Sequence, residues 1–503
     1  MASRVRLAAN AAKRNRYLPN DIITSLSQES RWQHSLVLLR TQCIAYLMVT
    51  EQSTRVCCEE AAAPPQLVIF GGGTATNELV PVLHSWNRRV SHVMPVTDNG
   101  GSTAEILRVL RGPAIGDIRS RLVNLSKFHL RHSDRESYQV HPSEKQVVRL
   151  LEYRLPTEAE SALAEWSMLL DGRHSLYKGI TTDYKSVIQS FLLKFHSEIL
   201  RNAVSVNAGI SVNKGFDIEA NFHSFDFRRA SIGNCFFTGV RLHFGSLPAA
   251  ILMWTRIAQI PPETRVLPVM NLSFFVTIGV ELENGDHIIG QSEISHPEVP
   301  GENLKESGKV PLPAPVRRLF FVNEHGQELK SHSLPANADV LDAIESADCV
   351  VYSVGSLLTS VLPSLLLPAI GARIRGAAVP KVLLLNSEHD RETTCTSPQG
   401  MEVMTGKDMV EALCRACQGF ERVEAESWRC CVTDVVVAQG SPFLSSGSAE
   451  ARSLEKLGIR LHWVPCKPGC PGWLDFSGVV KALADIAATQ SGKEVPFRPA
   501  DVR

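Results

Sequence analysis

The stretch that decides the fold is LVIFGGGTATNELVPVLHSW, residues 67–86. Its first four residues are apolar and the run stops at three successive glycines, which indicates a buried strand that enters a tight turn. After the turn, Leu79, Leu83 and Trp86 recur at the spacing of one helical face. A strand, a glycine turn and a helix in this order are typical of the opening βα unit of a doubly wound sheet.

A second unit of the same kind follows. The apolar run at residues 93–96 leads into TDNGGS, residues 97–102, and a helical pattern then continues to Gly112. Ser102 and Glu105 have the spacing of a capping box, which predicts that this helix begins directly after the glycines.

The remaining chain extends the pattern. Residues 127–230 mix polar and apolar side chains at helical spacing and predict a mainly helical insertion, whereas residues 272–289 predict a β-hairpin around Asn284-Gly285. From residue 338 helices and strands alternate, which favours parallel strands under helices on both faces. We therefore predict an α/β fold for residues 64–503: a Rossmann-like, doubly wound, mainly parallel sheet with a helical insertion and a small β-hairpin.

Residues 1–63 are predicted to form a leader. Five basic residues and no acid precede Asp21, a composition that fits both an organelle transit peptide and a disordered tail. The protein is accordingly expected in the cytoplasm, or in a mitochondrion or plastid if the leader is a transit peptide.

Composition excludes several classes of partner. The 52 basic and 52 acidic residues balance, which argues against a chain-wide nucleic-acid surface. The longest apolar run, residues 36–50, is shorter than the roughly 20 residues of a membrane span and contains Arg40. Twelve scattered cysteines favour a reducing compartment. We expect no nucleic-acid or membrane partner, and a homodimer is left open.

The first candidate site is the turn GGGTATN, residues 71–77. Glycines let backbone amides approach a ligand, and the start of the following helix attracts anions, so Gly72, Gly73, Thr74 and Asn77 are candidate phosphate contacts. The alternative is a tight turn capped by a threonine or asparagine.

The second candidate is TDNGGS, with Asp98, Asn99, Gly100 and Ser102 at the carboxyl end of a predicted strand. Asp98 has the chemistry to hold Mg²⁺ against a diphosphate or to act as general base on an acceptor hydroxyl. An Asx turn is the alternative.

Three further motifs carry candidate ligand contacts. In GDIRSRL, residues 116–122, Asp117 can cap a helix and Arg119 can bind phosphate, unless it is a surface arginine. SIGN, residues 231–234, contributes Asn234, and SVGS, residues 353–356, contributes Gly355 and Ser356 as hydrogen-bonding groups.

Taken in order, GGGTATN, VTDNGGS, GDIRSRL, SIGN and SVGSLLTSVLP resemble the family that contains the phospholactate transferase CofD, the gluconeogenesis factor YvcK and uncharacterised eukaryotic relatives. The resemblance spans about residues 66–440. It implies a nucleotide diphosphate at the carboxyl ends of the strands, with Gly72, Gly73 and Thr74 on the phosphates. It also implies metal or acceptor contacts by Asp98 and Asn99, and ligand contacts by Asn234, Gly355 and Ser356.

CofD-like members transfer a phospholactyl group from a guanosine-diphosphate-linked donor to a deazaflavin hydroxyl with Mg²⁺, whereas YvcK-like members bind a UDP-sugar. Asn99 departs from the transferase pattern, which carries a second acid there. We expect a transferase acting on a nucleotide-diphosphate-linked donor, and the alternative is a non-catalytic UDP-sugar-binding regulator.

Overall fold

A seven-stranded parallel sheet organises the protein. The computed structural model describes residues 64–132, 142–207, 225–297, 310–398, 400–420 and 423–491, and these belong to a unit that begins at Pro64. The predicted leader lies outside the described residues.

The strands are numbered along the chain. They are β1 (Leu67–Phe70), β2 (Val90–Met94), β3 (Arg265–Pro268), β4 (Val276–Leu282), β5 (His287–Ile289), β6 (Val316–Asn323), β7 (Glu328–Leu329), β8 (Cys349–Tyr352), β9 (Lys381–Leu384), β10 (Thr394–Ser397), β11 (Gly400–Val403), β12 (Asp434–Ala438) and β13 (Arg460–Val464). The large sheet has the order β13-β12-β9-β8-β1-β2-β3, and every neighbouring pair in it is parallel.

The strand order reverses at β1. The chain adds β2 and β3 on one side of β1 and later returns to place β8 on its other side. In open α/β sheets ligands bind outside the carboxyl ends of the strands at such a switch point. The predicted glycine turns therefore lie where this fold places ligands.

The helices cover both faces of the sheet. They are α1 (Gly73–Trp86), α2 (Gly101–Leu110), α3 (Gly116–His132), α4 (Pro142–Glu152), α5 (Ala159–Leu170), α6 (Thr182–Asn207), α7 (Ile232–Phe244), α8 (Leu247–Ile257), α9 (Gln291–Ser295), α10 (Ala338–Glu345), α11 (Leu362–Leu365), α12 (Pro368–Gly376), α13 (Gly406–Ala416), α14 (Ala449–Lys456) and α15 (Phe476–Ser491).

Strand β1 shows why both faces are covered. Its apolar side chains alternate, so that Leu67 packs in one core with Leu83 and Leu483, whereas Val68 packs in the other core with Ile118. A strand with two apolar faces must be buried on both sides, which requires helices above and below it. The predicted doubly wound α/β fold is confirmed.

The predicted helical insertion contains α4, α5 and α6, and its boundaries at residues 127 and 230 stay a prediction. Aromatic rings pack its helices against the segment before α7. Trp166 stacks on Phe227 with centroids 4.9 Å apart, and Phe195 meets Phe225 edge to face at 5.3 Å.

The predicted β-hairpin is confirmed as β4 and β5, which pair antiparallel with Gly279 opposite Ile289. It belongs to a larger sheet of order β5-β4-β6-β7.

In the part of the chain described above, none of the helices is by itself long and apolar enough to cross a membrane. The bent pair Leu357–Leu365 and Pro368–Gly376 passes together by length and composition. Side chains of this pair, such as Leu362 and Ile370, lie fully buried in the core.

Candidate functional site

The turns after β1 and β8 contact each other at the switch point. A Cβ atom added at Gly71 would lie 3.0 Å from the Cβ of Ser353, and one added at Gly355 would lie 3.9 Å from the carbonyl oxygen of Gly72. Gly355 also has a φ of +124°, which disfavours any other residue. The structure thus brings the first and last predicted motifs together.

Asn386, which sequence reasoning missed, holds the second turn in place. Its side-chain oxygen accepts from the Gly355 amide over 2.9 Å, and its side-chain nitrogen donates to the Gly355 carbonyl over 2.8 Å. Asn386 follows β9, and its position beside Gly355 depends on the strand order.

The sequence suggested that Asp117 caps its own helix, but the structure shows a different role. It lies inside α3, and its Oδ1 atom accepts a hydrogen bond of 2.9 Å from the Gly73 amide at the start of α1. A Cβ atom at Gly72 would come within 2.3 Å of its Oδ2 atom, so the glycine is needed for this approach. One of the amides predicted to contact phosphate therefore donates its hydrogen bond to a protein carboxylate.

Asp98 and Asp117 form a pair of carboxylates beside the turns that precede α1 and α2. Oδ1 of Asp98 accepts from the Gly100 amide over 2.9 Å, and a Cβ atom at Gly116 would lie 2.9 Å from its Oδ2. Oδ2 of Asp98 therefore reaches the first residue of α3, beside Asp117. The Oδ2 atom of Asp117 is buried and has no hydrogen-bond partner among the described residues.

The electrostatics of this pair follow from its burial. Loss of water, together with the charge of Asp117, raises the pKa of Asp98 to about 7. Burial also raises the pKa of Asp117, against the opposing effect of its hydrogen bond from Gly73. Two desolvated carboxylates that share a site favour binding a cation or a proton.

This donor set fits Mg²⁺ in part. The described residues contain no group of three or more His, Cys, Asp or Glu side chains arranged to hold a metal ion. Mg²⁺ commonly binds proteins through one or two carboxylates and completes its octahedron with water and substrate phosphates. The buried, unpartnered Oδ2 atom of Asp117 and the neighbouring Asp98 match that requirement.

A buried cationic group lies behind Asp117. The guanidinium nitrogens of Arg121 are buried without a hydrogen-bond partner among the described residues. Burial lowers the pKa of His84 to about 3, and the charge of Arg121 contributes to that shift. The Nε2 atoms of His84 and His92 lie 2.9 Å apart, and burial lowers the pKa of His92 as well, so one neutral ring donates its Nε2 proton to the other.

Asn99 and Asn77 bind protein groups in this structure. The Oδ1 atom of Asn99 accepts from the Ser292 amide over 3.1 Å and thereby joins this loop to α9. Asn77 donates to the Ser120 hydroxyl over 3.0 Å, which links α1 to α3. Thr74 is the second residue of α1.

Ser102 does not form the predicted capping box, because the N-cap of α2 is Gly100, two residues before Ser102. The Glu105 carboxylate instead binds Arg108. The Ser102 hydroxyl accepts from the Asn234 side chain over 2.9 Å, and the oxygen of that side chain accepts from Arg119 over 2.8 Å. Three predicted site residues therefore form one hydrogen-bonded chain.

Ser356 contacts a carboxylate that sequence reasoning missed. The buried Glu392 accepts from the hydroxyls of Ser356 and Thr359, and from the Leu358 amide over 2.8 Å. Burial, followed by the charge of Asp390, raises the pKa of Glu392 to about 7. Since Glu392 lies 36 residues from Ser356 along the chain, no local pattern connects the two.

A match to a family model extends over residues 67–456, and that family is described as 2-phospho-L-lactate transferase CofD. An uncharacterised protein of Saccharomyces cerevisiae is 31% identical over 464 residues, which cover 79% of this chain and 94% of the yeast protein. A protein of Bacillus subtilis named gluconeogenesis factor is 24% identical, with 69% of this chain and 73% of that protein covered.

Solved structures agree with the fold. A crystal structure of a Bacillus halodurans protein of the upf0052 family superposes with a TM-score of 0.51 at 20% sequence identity. The superposition covers 84% of this chain and 99% of the bacterial one. At this level of identity the likeness concerns the fold alone.

Proposed function

Because the chain belongs to the CofD family, we propose that it is a transferase that acts on a nucleotide-diphosphate-linked donor with the assistance of Mg²⁺. The donor lies along the carboxyl edge of the sheet, at the switch point between β1 and β8. The acceptor is a compound with a free hydroxyl group.

The observation that carries this proposal is the pair Asp98 and Asp117. The two carboxylates converge beside the glycine turns, and one oxygen of Asp117 is buried without a partner. Although Arg121 lies behind Asp117, the loss of water around both carboxylates still raises their pKa values, so the site is suited to bind a metal cation. At this edge of the sheet the natural role of such a cation is to neutralise a diphosphate.

The reaction needs little covalent participation by the protein. The acceptor oxygen forms a bond to the phosphorus farther from the nucleoside, the bond from that phosphorus to the bridging oxygen breaks, and a nucleoside monophosphate leaves. Bound Mg²⁺ would supply charge neutralisation, with Asp98 and Asp117 as its protein ligands. Positioning and electrostatics dominate transfers of this class.

Asp98 has a second role in the proposal. Its carboxylate orients the acceptor hydroxyl and accepts the proton that this hydroxyl loses as its oxygen bonds to phosphorus. Gly100 orients the carboxylate through its amide, and Asn99 fixes the loop on the neighbouring sheet.

A non-catalytic UDP-sugar-binding regulator is the second candidate. Asn99 stands where the transferase pattern carries a second acid, and its oxygen is engaged by the Ser292 amide. Matched relatives named gluconeogenesis factor also support this reading.

Ligand binding separates the two candidates. We expect GDP to raise the melting temperature of the full chain only with Mg²⁺, because the cation would neutralise the diphosphate beside the two carboxylates. A ligand that binds the folded state stabilises it by about 2.7 kcal/mol at 100 times its Kd. Asp117→Asn should abolish this shift, whereas Asp171→Asn, on an exposed side chain, should preserve it. Stabilisation by a UDP-sugar without metal would support the regulator, and no shift with any nucleotide would refute both.

A further inference from the structure

Three arginines converge near Ser102 at the start of α2. Arg119 binds Asn234, which in turn donates to the Ser102 hydroxyl. Nη1 of Arg154 lies 3.4 Å from the same hydroxyl and 3.3 Å from the carbonyl oxygen of Arg229. Arginines from three separate segments therefore lie near the start of α2, directly after the loop that carries Asp98.

Backbone pairing between the segment after α4 and the segment before α7 places two of these arginines. Arg154 and Ser231 form an antiparallel bridge, and the Arg229 amide donates to the Pro156 carbonyl over 2.9 Å. Arg229 has a φ of +55°, a left-handed conformation that costs a non-glycine residue about 1 kcal/mol or more.

Neighbouring acids balance the positive charge of this group only in part. Glu152, Glu105 and Asp226 are each paired with another base, namely Lys127, Arg108 and Arg228. The charges of Glu152 and Asp117 do act on Arg119 and oppose the lowering of its pKa, whereas no acid has such an effect on Arg154. Within the described ranges no ion pair involves Arg119, Arg154 or Arg229.

Arg154 is repelled by both of the other arginines. Burial and then the charge of Arg154 lower the pKa of Arg119 to about 10, and the pKa of Arg154 is itself lowered by burial and by Arg229. A bound anion would remove this repulsion.

The start of α2 adds to the attraction. The helix spans ten residues, and its N-cap Gly100 makes no side-chain capping bond. Its amino end therefore carries a partial positive charge that points toward the same region as the arginines.

We propose that Arg119, Arg154 and Arg229, together with the start of α2, form an anion subsite for a phosphate group at the non-nucleotide end of the substrate. Guanidinium groups suit phosphate because their planar N–H groups match its oxygens. The assignment to the substrate rests on the proposed function, whereas phosphate binding itself does not. The nucleotide diphosphate occupies the Asp98–Asp117 side, so the two groups bind at the same time.

Calorimetric titration of the full chain with inorganic phosphate, at constant ionic strength, tests the subsite. Arg154→Ala and Arg229→Ala should each weaken binding about tenfold, the effect expected from losing one charge-assisted contact. Both side chains are exposed, so the variants should fold, which circular dichroism checks. Arg228→Ala is the matched control, because this neighbour is already paired with Asp226 and should leave phosphate affinity unchanged.

Two results would overturn the proposal: absence of saturable phosphate binding by the natural chain, or equal losses in Arg228→Ala and Arg229→Ala. Competition between inorganic phosphate and GDP would refute the separate placement of the two groups. Asp117→Asn should lose Mg²⁺-dependent nucleotide binding and keep phosphate binding. If the natural chain binds phosphate but no nucleotide, the proposed function fails while the subsite stands.

Discussion

At the scale of single residues, the carboxylates have the most unusual environment. Asp98 lies in the loop before α2 and Asp117 in the first turn of α3, and each uses one oxygen to accept a hydrogen bond from a backbone amide. Their remaining oxygens are desolvated and close to like charge, which disfavours the ionised pair. The site therefore opposes folding stability where both groups are charged, and a cation would relieve that cost.

This environment predicts a pH dependence for Asp98→Asn. An acid whose pKa rises from about 4 in the unfolded chain to about 7 in the folded one binds more protons when folded, so it lowers stability as pH rises through that window. The variant keeps the acceptor for the Gly100 amide and lacks the charge. We expect its free energy of unfolding, relative to the natural chain, to increase between pH 5 and pH 8.

Urea denaturation without divalent cations at both pH values measures this difference. Addition of Mg²⁺ at pH 8 should stabilise the natural chain and not Asp98→Asn. A constant difference between the two proteins across this pH range would show that the pKa of Asp98 is not raised.

At the scale of elements, the strand-to-helix turns determine which groups lie at the carboxyl edge of the sheet. The turn after β1 has Asp117 against its amides, and the segment after β8 has Glu392 against the Leu358 amide. In both segments, backbone amides at the start therefore donate hydrogen bonds to a carboxylate from elsewhere in the chain. These amides would otherwise lack partners. At the start of α2 the carboxylate is a local one, because Asp98 accepts from the amide of the N-cap Gly100, and the arginines lie on the side of Ser102.

Gly72→Ala tests the close approach between α1 and α3. The added methyl group would lie 2.3 Å from Oδ2 of Asp117, and φ at this position is −124°, so the clash rather than backbone strain sets the cost. We expect a loss of about 1–3 kcal/mol in the free energy of unfolding. Gly376→Ala is the control, because nothing lies within 4 Å of its added Cβ atom.

Chemical denaturation of both variants gives the comparison. The cost of Gly72→Ala should shrink in the background of Asp117→Ala, which removes the clashing carboxylate. If the cost is the same in both backgrounds, the contact with Asp117 does not explain the glycine.

At the scale of the whole molecule, the core couples the helical layer to the site. Trp254 of α8 is fully buried, its indole nitrogen donates to the Ser126 hydroxyl of α3, and a Cβ atom at Gly233 of α7 would lie 3.2 Å from its ring. This one side chain thus packs between the helix that carries Arg119 and the helix that carries Asn234.

Trp254→Ala should therefore destabilise the protein by about 3–5 kcal/mol, the usual cost of removing a buried tryptophan. Trp473→Ala is the control, because its side chain is 39% exposed and should cost much less. Thermal and urea unfolding measure both variants. Similar losses in the two would contradict a central role for Trp254 in the core.

Much of the fold could be predicted because its signals are local. An apolar run of four residues next to three glycines defines β1 and its turn without reference to any other segment, and the Asn284-Gly285 turn likewise predicts the hairpin of β4 and β5. The motifs also predicted which turns would lie together at one edge, because the carboxyl ends of parallel strands share that edge.

Other features could not be predicted locally. The capping box at Ser102 has the right spacing, yet Gly100 caps the helix and the Ser102 hydroxyl binds Asn234, 132 residues away. Arg154 and Glu392 carry no motif of their own, and their neighbours come from distant segments.

The sequence by itself determined the doubly wound architecture and the family, because hydrophobic period, glycine turns and motif order are properties of short segments. Only the tertiary structure decided that Asp117 meets Asp98, that Glu392 fills the turn after β8, and that three arginines gather near Ser102. Such encounters depend on strand order and on the packing of helices over the sheet. Charges far apart along the chain interact only after that packing has removed the water between them.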